Sequence, residues 1–459
     1  MSRPLAEEGA AVKSLDVQTV IDEQKVSGVH IVLLALCAVI MFFDGFDIFM
    51  VGKVAPAIAH SYGEPSTQLT MVFVLQQIGL TAGAFLISPL SDRYGRKTVL
   101  IWSIIAFAAF TLLTIWAQSL LQVAILRGLT GIFLAAVIPN ATALLTEFAP
   151  AHRRASFVAI AFTGYTAGGA AGAFVAMWLL DAYGWQSGFW IGGLLPLLIV
   201  PLLFFFTHES VQFRARRNPA DPKIARTLKR LRPDLDFTGI THFTLGSTAK
   251  KSKGGVWQVF RDGRAPLTIL LWSIYFMALG TITLLASWMA TFFNELGGIS
   301  LARYAAVSLI SFVGGLAGTM TVGFIMDRFA PVRVLTILFL IDAIGLALIG
   351  MLPFGGIASL IAFTVWGYCQ AGGQAGINAL CAQAYPPSIR STGVGWAFGM
   401  GRFGGVFAPV LGGIALSMSL ALHEAFLLAA VLPLTIIALL FLFERLILRD
   451  PKRRAAMSQ

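Results

Sequence analysis

The chain has 459 residues, of which 57% are hydrophobic and only 12% are charged. Soluble proteins carry roughly twice that fraction of charged residues, so the composition excludes a soluble globular protein and indicates a polytopic membrane protein. Basic loops on one side of a membrane explain the net charge of +11 better than a nucleic-acid surface does. The three cysteines lie in apolar runs without metal-ligand spacing, which predicts small buried side chains rather than a disulfide or metal site.

Apolar runs long enough to cross a bilayer, about 20 residues each, recur along the chain. We predict twelve spans, at residues 29–52, 69–89, 98–118, 120–143, 156–180, 188–207, 266–290, 302–326, 333–352, 356–382, 393–419 and 422–444. They form two sets of six, a first bundle at 29–207 and a second bundle at 266–444. A loop at 208–265 joins the bundles, and tails at 1–28 and 445–459 flank them.

The distribution of Lys and Arg predicts the orientation of these spans. If the N-terminus is inside, the inner loops and tails hold 29 of the 33 basic residues, 13 of them at 208–265. Inner loops of membrane proteins are enriched in Lys and Arg, so we expect both termini and this loop to face the cytoplasm. Of the other four basic residues, Lys53 and Arg303 lie at outer ends of spans, whereas Arg127 and Arg402 lie within spans.

Two segments outside the spans have patterns of their own. Residues 14–21 have helical apolar spacing and are predicted to lie on the membrane surface. The charge of the 208–265 loop is assigned to topology and lipid-headgroup contact, with a docking site for a soluble partner as the alternative.

An internal repeat relates the two bundles. Adding 236 to the positions of Pro150, Arg154, Phe162, Gly168 and Gly169 gives Pro386, Arg390, Phe398, Gly404 and Gly405. The segment at 88–97, after the second span, has a shorter counterpart at 323–329, after the eighth. Parallel six-span halves are a transporter architecture, with the substrate site near the midplane between them.

Two carboxylates, Asp44 and Asp47, interrupt the first apolar run. A charge near the middle of a bilayer costs at least ~2.5 kcal/mol and marks function by default. At positions i and i+3 the two lie on one helix face, so they must face protein or water. We interpret them as ion-coupling groups, with a polar contact between helices as the alternative. Asp342, in the middle of the ninth span, has no partner that the sequence identifies.

The loop Ser91-Asp92-Arg93-Tyr94-Gly95-Arg96-Lys97 and the Arg127-Gly128-Leu129-Thr130-Gly131 stretch resemble signatures of the major facilitator superfamily. Within it, four stretches resemble the aromatic acid:proton symporters. They are Asp44-Gly45-Phe46-Asp47, Ser14-Leu15-Asp16-Val17-Gln18, Pro139-Asn140-Ala141-Thr142 and Gly401-Arg402-Phe403-Gly404. The resemblance implies an all-α membrane protein with twelve transmembrane helices in two pseudo-symmetric six-helix bundles. It also implies proton-coupled import of a hydroxybenzoate or related organic acid across a bacterial inner membrane, by a monomer that uses the proton gradient and no cofactor.

The resemblance places spans 1, 4, 7 and 10 around a central cavity. A rise of 1.5 Å per residue puts Asp44 and Arg127 at similar depth, which predicts an Asp44–Arg127 or an Asp47–Arg127 contact. If Arg127 moves away or engages a substrate anion, the carboxylate can take a proton; the alternative is a static buried ion pair. Arg402, near the midplane, is predicted to hold the substrate carboxylate bidentately. Its alternative role is to brace two helices through backbone carbonyls.

Three sets of site residues follow. The proton-coupling set comprises Asp44, Asp47, Arg127 and Glu147. The substrate-binding set comprises Arg402, Arg127, Asn140, Tyr165, Gln370, Gln374, Trp396 and Phe46. The gating set comprises Asp92, Arg93, Arg96, Asp327 and Arg328. Asn140 is expected to bond a substrate hydroxyl, the glutamines to face the cavity, and the aromatic side chains to stack on a substrate ring. Glu147 is expected to pair with loop arginines at an inner gate.

Other functions fit the sequence less well. An efflux antiporter of the same fold usually has a Gly-Pro motif in the fifth span, and residues 164–172 contain no proline. A sugar porter would have paired glutamines in the seventh span, and a membrane sensor would need an appended signalling domain. A non-aromatic dicarboxylate remains open as the substrate. The absence of a Gly-Lys-Ser/Thr phosphate loop argues against ATP-driven transport, and no enzyme constellation or metal spacing of the six histidines is present.

Overall fold

The computed structural model describes residues 14–237, 240, 242–245, 256–386 and 389–448. Twelve long helices dominate this part of the chain. They are α1 Gly28–Ser61, α2 Leu69–Leu86, α3 Arg96–Leu113, α4 in two parts (Leu120–Leu134 and Val137–Phe148), α5 Arg154–Tyr183, α6 Gln186–Phe206, α7 Ala265–Thr291, α8 Leu301–Arg328, α9 Pro331–Met351, α10 Ile357–Ala384, α11 Arg390–Ser417 and α12 Leu422–Leu448.

Eleven helical segments in the described residues are long and apolar enough to cross a membrane. The remaining long helix, α10, has 28 residues but is less apolar because it carries Gln370, Gln374 and Asn378. These polar residues explain why its composition alone does not mark it as a span.

Short elements connect the long helices. They are the helices Val17–Asp22, Ser91–Tyr94, Val211–Arg217 and Pro222–Leu231, the 3₁₀ turns Ser66–Gln68, Ser88–Leu90, Thr114–Trp116, Ala151–Arg153 and Val256–Phe260, and the π-helical turn Phe292–Leu296. Two three-residue strands, β1 Ser14–Asp16 and β2 His242–Thr244, pair in parallel with Ser14 opposite His242.

The helix contacts repeat between the two halves of the chain. In the first half α1 packs on α5, α2 on α4 and α3 on α6; in the second half α7 packs on α11, α8 on α10 and α9 on α12. The helix α5 begins at Arg154 and α11 begins at Arg390, at the offset of 236 that relates the two sequence halves. The structure therefore has the two pseudo-symmetric six-helix bundles that the sequence predicted.

The bundles meet along three helix pairs, α5 with α8, α1 with α7 and α2 with α11. We call the end that carries residues 14–24, 91–97, 148–154 and 208–237 the basic end, and the opposite one the far end. At the far end, Glu295 Oε1 accepts hydrogen bonds from Ser66 Oγ at 2.7 Å and contacts His60 Nε2 at 2.9 Å. These contacts join the two bundles at the far end.

The N-terminal segment does not have the environment that the sequence predicted for it. Val17 and Ile21 of the helix Val17–Asp22 are fully buried, in a cluster with Ile224 and Leu228 of the helix Pro222–Leu231. The prediction that residues 14–21 lie on the membrane surface was wrong, because protein already covers the apolar face of this helix.

The loop between α2 and α3 is shaped by Gly95. Its φ of 102° lies in the region that side chains rarely adopt, and a Cβ there would come within 2.6 Å of the Glu209 carboxyl carbon. Glu209 Oε1 accepts a hydrogen bond from the Lys97 amide at 3.2 Å, so the carboxylate caps the first turn of α3. This loop conformation therefore requires glycine at position 95, followed by a helix start whose amide groups can bond the Glu209 carboxylate.

The first helix continues beyond the end of the predicted span. That span was predicted to end at 52, and α1 runs on through Pro56 to Ser61. Lys53 therefore lies within a helix, with only 6% of its surface exposed.

Candidate functional site

A buried ion pair joins α1 to α4. Arg127 donates to both oxygens of Asp47, with Nη1 3.0 Å from Oδ1 and Nη2 on Oδ2. Thr111 Oγ1 adds a third donor to Oδ1 at 3.1 Å, and the Phe189 ring lies 5.7 Å from the guanidinium carbon. Of the two alternative contacts that the sequence allowed, the structure has Asp47–Arg127.

Asp44 lies one turn earlier on α1 in a different environment. It is 2% exposed, and its buried Oδ2 has no hydrogen-bond partner among the described residues. Asp47, on its own helix, and Arg402, on α11 of the other bundle, are both close enough to act on it electrostatically. Asp44 therefore faces the interface between the bundles with unsatisfied acceptor capacity.

Arg402 approaches the same point from the second bundle. Its guanidinium lies over the Phe398 ring at 5.3 Å and interacts electrostatically with Asp44 and Tyr165. It has no hydrogen bond or ion pair with any residue that the structure describes. The ring of Tyr165 lies 5.7 Å from that of Phe49, so α1, α5 and α11 bring a carboxylate, a phenol and a guanidinium together.

The helix α4 is broken next to another predicted site residue. Pro139 has no N–H, so the Ala135 carbonyl loses its helical partner and the two helical parts are separated at Ala135 and Ala136. Asn140 is 2% exposed, and its Nδ2 donates to the Ala136 carbonyl at 2.8 Å. The side-chain amide of Asn140 thus bonds a carbonyl at the break in its own helix. Its contact with a substrate hydroxyl remains a prediction.

The two glutamines on α10 have different partners. With its amide oriented to satisfy hydrogen bonding, Gln370 Nε2 donates to both oxygens of Asp342 at 3.1 and 3.2 Å. Asp342 on α9 is fully buried. The expectation that Gln370 faces the cavity was therefore wrong, because a neighbouring helix presents a carboxylate to it, and Asp342 gains the partner that the sequence could not identify.

Gln374 belongs to a second polar cluster. Its Nε2 donates to Asn378 Oδ1 at 3.3 Å, and the same oxygen accepts from the Tyr275 hydroxyl at 2.8 Å. Gln374 Oε1 is buried and has no donor among the described residues. Gly401, the neighbour of Arg402, packs against the Tyr275 carbonyl, which connects this cluster to the Arg402 segment.

Two of the three predicted aromatic site residues, Trp396 and Phe46, are placed differently. Trp396 is 38% exposed, stacks on Trp272 at 6.2 Å and lies 6.4 Å from the Phe85 ring of the opposite bundle. Phe46 is only 2% exposed and packs against Gly192 of α6 inside the first bundle. Helix packing covers the Phe46 ring in this structure, and its stacking on a substrate remains a prediction.

The charged loop residues are assembled within one bundle. Arg96 donates to Asp92 Oδ1 at 2.8 Å and to Glu147 Oε1 at 3.1 Å, and both acids belong to the first half of the chain. The predicted pairing of Glu147 with a loop arginine is therefore present, while its gating and coupling roles remain predictions. Arg93, Asp327 and Arg328 form no ion pair with other described residues, and their gating roles also remain predictions.

A metal centre is not formed by these residues. Among the described residues, no group of three or more His, Cys, Asp or Glu side chains is placed to hold a metal ion.

Sequence comparison places this architecture among known transporters. The sequence profile of the Major Facilitator Superfamily matches residues 37–358 and 271–457. The chain is 35% identical to the gallate transporter of Pseudomonas putida over 412 residues, 90% of this chain and 91% of that protein. It is 36% identical to the 4-hydroxybenzoate transporter PcaK of Acinetobacter baylyi over 406 residues, 88% of each.

Solved structures have the same fold. A bacterial homologue of the human lysosomal transporter Spinster aligns with a TM-score of 0.71 at 17% identity, covering 93% of this chain and all of that one. A D-xylose-proton symporter aligns with a TM-score of 0.70 at 16% identity, covering 90% of this chain and 97% of that one. The chain is therefore a multi-pass membrane transporter of the Major Facilitator Superfamily, in the family that includes the gallate and 4-hydroxybenzoate transporters.

Proposed function

We propose that this transporter imports the anion of an aromatic carboxylic acid, of the hydroxybenzoate class, together with a proton. The observation that carries the proposal is the meeting of Asp44, Tyr165 and Arg402 across the interface between the bundles. No described residue bonds a carboxylate to Arg402 or a donor to Asp44 Oδ2, so the two form an incomplete pair that a substrate carboxylate can complete.

In the coupling step, a substrate carboxylate replaces Asp44 as the counter-charge of Arg402. In the empty site the charge of Arg402 balances that of Asp44. A substrate carboxylate takes two parallel N–H···O bonds from the planar guanidinium and displaces this interaction. Asp44 then lies in a desolvated site without its cation, where the charged form is expensive, and it takes a proton. Substrate and proton therefore bind together and leave together.

Asp47 has a separate role in this scheme. Both of its oxygens accept hydrogen bonds from Arg127, and Thr111 adds another. The Asp47–Arg127 pair therefore fixes the position of α1 against α4.

The rest of the substrate is recognised by aromatic and polar side chains. Trp396 and Phe403, 38% and 40% exposed, offer ring faces on the same helix as Arg402. Gln374 Oε1 is a buried acceptor that lacks a donor, and a phenolic hydroxyl supplies one. A carboxylate at one end and a hydroxyl at the other would distinguish hydroxybenzoates from alkyl acids and sugars.

Alternating access requires the bundles to separate first at one end and then at the other. The Glu295 contacts with His60 and Ser66 are breakable links at the far end. We assign the basic end to the cytoplasm because inner loops are rich in Lys and Arg. In this assignment the protein works as a monomer in a bacterial inner membrane and takes its substrate from the far end.

The test is uptake by purified protein in proteoliposomes. Labelled 4-hydroxybenzoate, gallate, succinate and xylose are supplied in turn, while a pH gradient and a sodium gradient are imposed separately. We expect the aromatic acids to accumulate under an inward proton gradient and not under a sodium gradient alone. Accumulation of succinate or xylose instead, or of aromatic acids under sodium alone, would contradict the proposal.

A further inference from the structure

The first helix contains a buried cation, Lys53, that has no role in the proposed coupling step. Lys53 is 94% buried, eight residues before the end of α1. Its only hydrogen bond within the described residues is a long one, 3.4 Å to the Phe49 carbonyl one turn earlier. No carboxylate that the structure describes pairs with it. A buried ammonium without an anion is costly, so its retention calls for a compensating partner.

Two aromatic rings enclose this ammonium. Lys53 Nζ lies 5.5 Å from the centre of the Phe49 ring and 5.2 Å from that of Phe312, which belongs to α8 of the other bundle. The two rings meet edge to face at 5.5 Å. Gly169 provides the space, because a Cβ there would come within 2.5 Å of the Phe312 ring and 2.8 Å of the Phe49 ring. The cation is thus held by groups that belong to both bundles.

The enclosure continues to the central site. Phe49 contacts Tyr165 at 5.7 Å, and Tyr165 interacts with Asp44 and Arg402. Lys53 lies nine residues after Asp44 on α1, about 13 Å along the helix axis. A row of aromatic rings therefore runs between two cations, Arg402 at the central site and Lys53 nearer the far end.

We propose that Lys53 is a second carboxylate-binding site, which receives the aromatic anion from the far end before it reaches Arg402. This inference rests on the proposed function. When the bundles separate at the far end, Phe312 moves away with α8 and opens one side of the ammonium. The substrate carboxylate then binds the ammonium, and the substrate ring packs on Phe49 in place of the Phe312 ring. When the bundles close again, Phe312 packs over Lys53 and displaces the substrate carboxylate. The substrate anion then moves towards Arg402.

The test compares uptake kinetics from the two sides of oriented proteoliposomes, with labelled 4-hydroxybenzoate as the probe. Lys53→Met removes the charge but keeps an unbranched side chain of similar length. We expect it to raise the KM for substrate supplied at the far end by about tenfold or more, the loss typical of a charged partner. The KM from the basic end, and the affinity of the detergent-solubilised protein measured by calorimetry, should stay within about threefold of wild type, because neither depends on the receiving site. Lys53→Arg should restore the far-end KM.

Two further variants separate this role from a structural one. Arg303 is an exposed cation at the far end, 5.8 Å from the Phe354 ring, and Arg303→Met should change neither KM. Phe312→Leu removes the bridging ring but keeps the cation, so the far-end KM should stay within about threefold of wild type. If Lys53 merely braces the bundles through Phe312, Phe312→Leu and Lys53→Met will have the same effect on thermal stability and on both KM values.

Several outcomes would overturn the inference. An unchanged far-end KM in Lys53→Met refutes it alone, provided that the wild-type protein transports 4-hydroxybenzoate. Equal changes from both sides assign Lys53 to bracing, and loss of proton-driven accumulation with normal exchange assigns it to coupling. A wild-type protein that transports no aromatic acid refutes the proposed function first, and the inference with it.

Discussion

Replacement of Asp44 by Asn should uncouple substrate binding from proton binding. In the proposed exchange, Arg402 releases Asp44 to bind the substrate carboxylate, and Asp44 takes a proton. Asn is nearly the same size and is already neutral, so the substrate needs no proton to replace it on Arg402. Asp44→Asn should therefore bind the anion with an affinity that does not depend on pH.

The size of the effect follows from proton linkage. If one proton binds with each anion, the apparent Kd of the wild-type protein rises tenfold per pH unit above the pH at which Asp44 ionises, about 1.4 kcal/mol per unit. Carboxylic acids have pKa values near 4, so a hydroxybenzoate is an anion throughout the range above pH 6. Between pH 6.5 and 8.5 the wild-type Kd should rise by up to about a hundredfold, while that of Asp44→Asn stays constant.

Calorimetry on the purified protein measures both quantities. Titration with 4-hydroxybenzoate in two buffers of different ionisation enthalpy counts the protons taken up, and we expect one for wild type and none for Asp44→Asn. Asp342→Asn is the matched control, because Asp342 is also a fully buried carboxylate but is held by Gln370 within the second bundle. It should retain the proton count of wild type.

Two results would refute this reasoning. A proton count of one in Asp44→Asn would mean that another group takes the proton. A count of zero in Asp342→Asn would identify that group as Asp342 and would move the coupling site away from Arg402. Either result would require a different account of why Asp44 lies unpaired beside the interface.

Substitutions at four further residues test other parts of the structure. Asp47→Asn leaves its arginine partner buried without a full counter-charge, so it should destabilise the first bundle by about 3–5 kcal/mol in thermal unfolding and block gradient-driven uptake. Arg402→Ala should weaken binding of 4-hydroxybenzoate about ten- to a hundredfold but leave its amide unaffected, with Arg402→Lys in between, as measured by calorimetry. Gly95→Ala adds a Cβ at a φ of 102° against a carboxylate and should cost roughly 1–3 kcal/mol of stability. Gly323→Ala, which meets nothing within 4 Å, should leave the thermal midpoint within a degree or two of wild type.

The sequence predicted the fold well because each helix is a long apolar run and the two halves repeat. It also predicted the contact between α1 and α4 at Asp47 and Arg127, since the relative height of residues on two helices follows from the rise per residue. Rotation about the helix axis was not predictable in the same way. Asp44 and Asp47 share a face, and the packing of Gly45 against the Tyr165 backbone decides which of them meets Arg127.

The errors have the same physical origin. Gln370 and Gln374 are one turn apart, so the sequence placed both in the cavity, but α10 packs against several helices and Asp342 engages only Gln370. The apolar face of residues 17–22 showed that the segment would be buried, but not whether lipid or protein would cover it. Partners on other elements decide both cases.

The charges along the interface between the bundles favour an anion as the substrate. Asp44 provides one negative charge there, while Arg402 and Lys53 provide two positive ones. Asp47 neutralises Arg127, and Asp44 balances Arg402 only until a substrate carboxylate takes its place. The cation in excess is Lys53, and it lies nearest the far end. A low-dielectric interface with one more cation than anion attracts a monovalent anion and repels cations, while a neutral sugar gains nothing from it. A protonated Asp44 increases that excess, so the arrangement favours carrying a proton and an organic anion together over carrying either one alone.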